Sequence, residues 1–149
     1  MTLPTNRLST FFKGDDTELG VFYPKNYLLA VFPSLDDACL AMAELHRRGR
    51  LEEHMIAASG EEVVRYAQEH LDKGGIWGML MSELSRTIGT AALYADRDLA
   101  AAKEGKAFVA VLCPNEKVKA EAWKVLEPTH PLVARYYTSG GIEHLVGEY

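Results

Sequence analysis

Features that would name a chemistry are scarce in this sequence. Two cysteines occur, Cys39 and Cys113, without CxxC spacing and far below the density of a disulfide-stapled secreted domain, so both read as buried thiols. The glycines form neither GxGxxG nor GxxxxGK, and no serine sits in a GxSxG elbow, which leaves dinucleotide, P-loop and hydrolase chemistry without a motif. Basic residues are in the minority, sixteen Lys and Arg against twenty-one Asp and Glu, for a formal charge of −5. That balance argues against a nucleic-acid partner or an anionic membrane surface, both of which call for clustered cations. The one basic run, His46-Arg47-Arg48-Gly49-Arg50, is short and ends a helix, where cations suit the dipole. Uncharged apolar runs of membrane-spanning length are lacking too: the best candidate, 74–94, is interrupted by Glu83 and Arg86 and reads as a helix of a soluble protein. The first twenty residues hold charges and breakers (Pro4, Arg7, Lys13, Gly14, Asp15) where an export signal needs an apolar stretch, so the expected location is cytoplasmic.

What is present is an internal correspondence. Leu29-Ala30-Val31-Phe32-Pro33-Ser34 reappears as Ala110-Val111-Leu112-Cys113-Pro114-Asn115, an offset of 81 residues. The same offset maps Ala41 onto Ala122, Leu45 onto Leu126, Ser59-Gly60 onto Gly140-Gly141 and Glu62 onto Glu143. One offset running through strand, turn and helix predicts two copies of a supersecondary unit. At 149 residues the chain suits one domain that buries roughly 68–70% of its unfolded surface.

Residues 1–26 read as an extended arm with a short strand at 19–23, followed by a single duplicated domain, 27–149. Its first repeat, 27–73, begins with the apolar strand 27–32. Ser34 then caps a helix carrying Ala38, Ala41, Met42 and Leu45 inward and stopping at Gly49. A second strand, 54–58, leads to Ser59-Gly60-Glu61-Glu62, the start of a helix running to about Leu71. A helical insert, 74–105, follows Gly74-Gly75, with Trp77, Leu80 or Met81, Leu84, Ile88 and Ala91 on one stripe and Asp96 capping a short helix that ends at Gly105. The second repeat, 106–149, reads as strand 107–112, helix 116–126, strand 133–138, and a final turn of helix at 142–146 opened by Gly140-Gly141. The expected class is α+β: a ferredoxin-like sheet built from two βαβ repeats, with parallel central strands and both main helices on one side.

The segment Phe32-Pro33-Ser34-Leu35-Asp36-Asp37-Ala38, a glycine-bearing middle, and the strand Gly105-Lys106-Ala107-Phe108-Val109-Ala110-Val111 together resemble the heat-induced general stress protein domain family of bacteria. The resemblance covers about 27–146 and rests on fold-defining residues. It implies a small cytoplasmic domain connected with stress, and it carries no active site over. The middle segment is more polar and aromatic than the family's glycine-rich stretch, and the N-terminal arm has no counterpart there.

Three Glu-His pairs, Glu53-His54, Glu69-His70 and Glu143-His144, invite a metal reading. Neighbouring residues point apart on strand or helix, so a site requires His54, His70 and His144 to converge through tertiary structure. Arg135-Tyr136-Tyr137, with Tyr66 and Tyr27, offers a guanidinium and phenols to an anionic small molecule, although alternation sends Tyr136 and Tyr137 to opposite faces. Cys113 ends a strand before a helix N-terminus, which suits either a lowered thiol pKa or an inert buried thiol. The stripe Trp77, Met81, Leu84, Ile88 is either core-facing or an association face. No cofactor is implied. The leading expectation is a non-enzymatic protein that forms a homo-oligomer or binds a protein partner; the alternative is an anion- or metal-binding domain with a cleft between sheet and insert.

Overall fold

The computed structural model describes residues 25–50, 54–71 and 90–147, with 66–71 and 90–96 described as backbone only. Its elements are β1 (Tyr27–Phe32), α1 (Leu35–Arg47), β2 (Met55–Ala58), α2 (Gly60–Leu71), α3 (Thr90–Lys103), β3 (Ala107–Leu112), α4 (Glu116–Leu126), a 3-10 turn (Glu127–Thr129), β4 (Val133–Thr138) and β5 (Gly141–Val146). The chain is therefore α+β, and the described residues form a five-stranded sheet in the order β2-β3-β1-β4-β5. No helix among the described residues is long and apolar enough to cross a membrane.

All neighbouring strands are antiparallel, including the central pair β1 and β3, which corrects the expectation of parallel central strands. The helix crossovers do make β1 parallel to β2 and β3 parallel to β4. Each crossover, however, leaves a gap one strand wide, and a strand of the other unit fills it in the opposite direction. Helices α1 and α4 pack on one another and on one face of the sheet, above Leu28, Ala30, Phe32, Val109 and Val111. The alternate residues, Leu29, Val31, Phe108 and Ala110, form the other face. They too are buried, so β1 and β3 are apolar on both sides.

Local chemistry explains the helix boundaries. Ser34 accepts the Asp37 N–H (3.2 Å), and Asn115 accepts that of Val118 (3.0 Å), starting α1 and α4 alike. Ser59 and Glu62 form a reciprocal capping box on α2, with N–H to side-chain oxygen distances of 3.1 and 3.2 Å. Helix α3 is continuous over fourteen residues, so Asp96 lies inside it and does not start a short helix: an acceptor side chain alone does not interrupt a run of alanines and leucine with strong helix propensity. The stripe Trp77, Leu80, Met81, Leu84, Ile88 of the helical insert reading falls outside the described residues, as do residues 1–24 of the arm with its strand at 19–23.

The final segment is strand β5, where a turn of helix was expected. Ile142, Leu145 and Val146 have helical spacing, but Thr138 and Gly141 close a tight hairpin in which Thr138 Oγ1 accepts the Gly140 N–H (3.2 Å) and donates to the Gly141 carbonyl (3.0 Å). The free edge of β4 then supplies hydrogen bonds that a five-residue helix does not have, with a bulge at Leu145.

Positions 81 residues apart play matching parts through the strand-helix unit. Ser34 and Asn115 cap, Ala41 with Ala122 and Leu45 with Leu126 are buried, and Gly49 (φ 93°) and His130 (φ 56°) both take left-handed backbone after their helices. The match stops there, since Ser59 caps a helix while Gly140 sits in a hairpin. A left-handed conformation suits glycine and strains histidine. Replacing exposed His130 with Gly is expected to raise the free energy of unfolding by up to about 1 kcal/mol, measured by urea titration.

Candidate functional site

Strand β4 carries the polar groups of the interior, and it divides them between two layers. Arg135 is wholly buried, the one charged side chain so placed among the described residues. Its guanidinium pairs through Nη2 with Asp98 of α3, donates from Nε to the Tyr137 hydroxyl (3.0 Å) and lies 5.8 Å from the Tyr137 ring centroid. A guanidinium in an apolar layer is tolerated only when its charge and donors are met. Asp98 meets the charge and the Nη2 donor and Tyr137 the Nε donor, and in doing so they tie α3 to the sheet.

Tyr136 points the other way. Its hydroxyl donates to the Cys113 carbonyl (2.7 Å), and the Lys119 ammonium of α4 stands 5.7 Å from its ring centroid. Lys119 in turn pairs with Glu116 and with Glu143 of β5 (2.9 Å each), which hold the lysine above its ordinary pKa. Burial holds Tyr136 above the usual phenol range, and Tyr27, next to the Arg135 layer on β1, shifts up for the same reason. Arg135, Tyr136 and Tyr137 thus serve two networks on opposite faces.

The histidines are spread out. His54 adjoins β2 and His144 lies on β5, so the sheet sets them at opposite edges, four strand spacings or about 19 Å apart. The convergence that a His54, His70, His144 site requires is therefore not made by these two. His70 and Tyr66 belong to α2, in the part described as backbone only. Among the described residues no group of three or more His, Cys, Asp or Glu is placed to hold a metal ion.

Cys113 is fully buried, with its thiol toward the Val111 carbonyl at 3.5 Å, and desolvation pushes its pKa up to about 11, outweighing the lowering by Arg50 and Lys119. It is a packed thiol without nucleophilic character at neutral pH. Two results are expected. Iodoacetamide leaves Cys113 unmodified in the native protein while labelling it in urea, as read by peptide mass spectrometry. Because the folded pKa lies above the unfolded value, the native state keeps a proton that the unfolded state releases, so the thiol's contribution to stability is intact below about pH 9 and is lost as pH rises toward 11. Cys113→Ala should flatten that part of the stability profile.

Comparison with protein-family models, with curated proteins and with solved structures finds no match to this chain. Its site must be read from its own geometry. Asp98 and Lys119, which complete the two networks, were not among the sequence candidates. The usable signal was Arg135 itself, since an arginine inside the apolar strand 133–138 requires an acidic partner. Nothing local, however, indicated a partner 37 residues earlier.

Proposed function

We propose that this chain is a duplicated ferredoxin-like domain that works by self-association through the β4–β5 hairpin, with no catalytic role. The duplication is supported by the interleaved crossovers and by the capping, buried and left-handed positions shared at the 81-residue offset. Association over catalysis is supported by the use already made of the candidate groups: Arg135, Tyr136, Tyr137 and Cys113 are all engaged inside the fold. The resemblance to the stress protein family adds a cytoplasmic, stress-related setting to the proposal.

The hairpin is favoured because β5 is an outer strand of the described sheet and its open end carries exposed apolar surface. Leu132 and Val146 are two of the three exposed large hydrophobic residues among those described, 43% and 38% accessible. They are neighbours: Val146 pairs with Ala134, and Gly147 passes so close to Leu132 that a Cβ there would stand 2.3 Å from the Leu132 carbonyl oxygen. Outer strands offer free backbone groups to second copies, and exposed apolar side chains beside that edge favour the pairing. Native mass spectrometry of the full chain at micromolar concentration is expected to show twice the chain mass. Leu132→Lys with Val146→Lys should return the single-chain mass while leaving far-ultraviolet circular dichroism unchanged. A wild-type protein that stays monomeric at every concentration overturns the proposal, and a stoichiometric mass excess on that monomer would favour a bound small molecule instead.

A further inference from the structure

Resting on the self-association reading above, we infer that two copies join β5 to β5 antiparallel about a two-fold axis beside Glu143, making one ten-stranded sheet in which Lys119 keeps the seam in charge balance. The choice of edge follows from the two outer strands of the described sheet. All four residues of β2 are buried, at 1–7% exposure, whereas Gly141, Glu143, His144 and Val146 of β5 are exposed. A β5 edge that meets its own copy closes the assembly at two chains.

The register follows from the β4–β5 ladder. Five residues of β4, Thr138 back to Ala134, face β5, and Glu143 stands opposite the middle one, Tyr136. Leu145 is the extra residue of the bulge, so Gly141 and Val146 lie two rungs to either side of Glu143. Antiparallel pairing that uses every rung therefore sets Glu143 against Glu143 of the second copy, and Val146 against its Gly141. These positions share the α4 face, because they oppose Tyr136 and its alternate neighbours Ala134 and Thr138. The shapes fit as well. Val146 is an exposed apolar side chain, and a Cβ built on Gly141 has no atom of the described residues within 4 Å, so the valine enters space that any other residue there would fill.

Glu143 facing its own copy is a like-charge pair, which weakens a strand contact. Lys119 removes the conflict. Its ammonium donates to both Glu143 oxygens, at 2.9 and 3.2 Å, from α4 on the same face of the sheet. Two carboxylates and two ammoniums then meet at the axis with no net charge. Glu116, the other carboxylate on Lys119, is 71% exposed, so water and salt screen it. On the opposite face Ile142 meets His144 of the second copy, one rung from the axis on either side.

Cross-linking and a charge-rescue series on the full chain test this. Residues directly opposite across antiparallel strands have Cα atoms about 4.5–5.5 Å apart, within disulfide reach. Mild oxidation is therefore expected to link Glu143→Cys into a covalent pair and to leave Val146→Cys, about 13 Å from its own copy, unlinked; the wild-type chain, with Cys39 and Cys113, sets the background. In native mass spectrometry across concentration, Lys119→Met should weaken the dimer about fivefold, and adding Glu143→Gln should restore it. Lost packing beside Tyr136 would not be restored in this way. A wild-type chain that stays monomeric removes the self-association reading and the seam with it. A wild-type dimer in which Glu143→Cys fails to link, or in which Lys119→Met binds unchanged or is not rescued by Glu143→Gln, overturns the seam alone.

Discussion

Leu45→Ala and Leu126→Ala will each lower the free energy of unfolding by about 3 kcal/mol, and by similar amounts. Both leucines close the inner face of their helix at 0% exposure, four residues after a buried alanine, Ala41 in α1 and Ala122 in α4. Truncation removes the same three heavy atoms at each position and leaves a cavity that packed helices close only in part. The backbone is insulated from the change. The Leu45 carbonyl still accepts the Arg50 N–H (3.0 Å), and that of Leu126 still accepts the Thr129 hydroxyl (2.6 Å). Paired urea titrations are sufficient to measure this. Losses that differ by more than about 2 kcal/mol would show that the two strand-helix units are packed differently despite their matching positions.

Gly60→Ala is expected to destabilise the protein by at least about 2 kcal/mol, although the same change at an unconstrained helical position stabilises by up to about 1 kcal/mol. The sign is therefore diagnostic. The added methyl would meet the Ala102 and Lys106 carbonyl oxygens, which belong to backbone and do not swing aside as a flexible side chain would. Lys106 precedes β3, and the β2–β3 ladder holds that side of the contact in place. Gly105 provides the contrast: nothing lies within 4 Å of a Cβ there, but its φ of 91° strains any other residue, so Gly105→Ala should cost about 1 kcal/mol through backbone conformation alone. A stabilised Gly60→Ala protein in thermal or urea melts would mean that α2 and α3 yield freely at their junction.

Boundaries governed by neighbours in sequence were legible; arrangements governed by distant partners were not. The caps at Ser34 and Ser59 and the apolar runs 27–32 and 107–112 act within a few residues of themselves, and the structure places helices and strands accordingly. Segment 142–146 satisfies helical spacing at Ile142, Leu145 and Val146, yet its state is decided by the edge of β4, a partner the pattern does not contain. Strand direction at the sheet centre escaped for the same reason, since it depends on which strand enters the gap left by each crossover. At the candidate site, the residues of β4 were recognisable as unusual. Their division between two layers followed from strand alternation, but Asp98 and Lys119 became visible only once α3 and α4 were laid on the sheet.

The two networks of β4 also bear on how the sheet finds its alignment. In a sheet with one wet face, a strand that slips by one residue turns its apolar side to water, and that error corrects itself. Here β1 and β3 are apolar on both sides, so a slip between them exchanges one buried aliphatic for another at little cost. Strand β4 has no such indifference. Moved by one position, Arg135 would face the α1 and α4 layer away from Asp98, and Tyr136 would turn to the other face and lose the Cys113 carbonyl, so that a charge on one face and a hydroxyl on the other would each be buried away from its present partner. Those few polar atoms act as the alignment mark of an otherwise permissive sheet, and β1, paired to β4 from Leu28 to Val31, inherits its position from them.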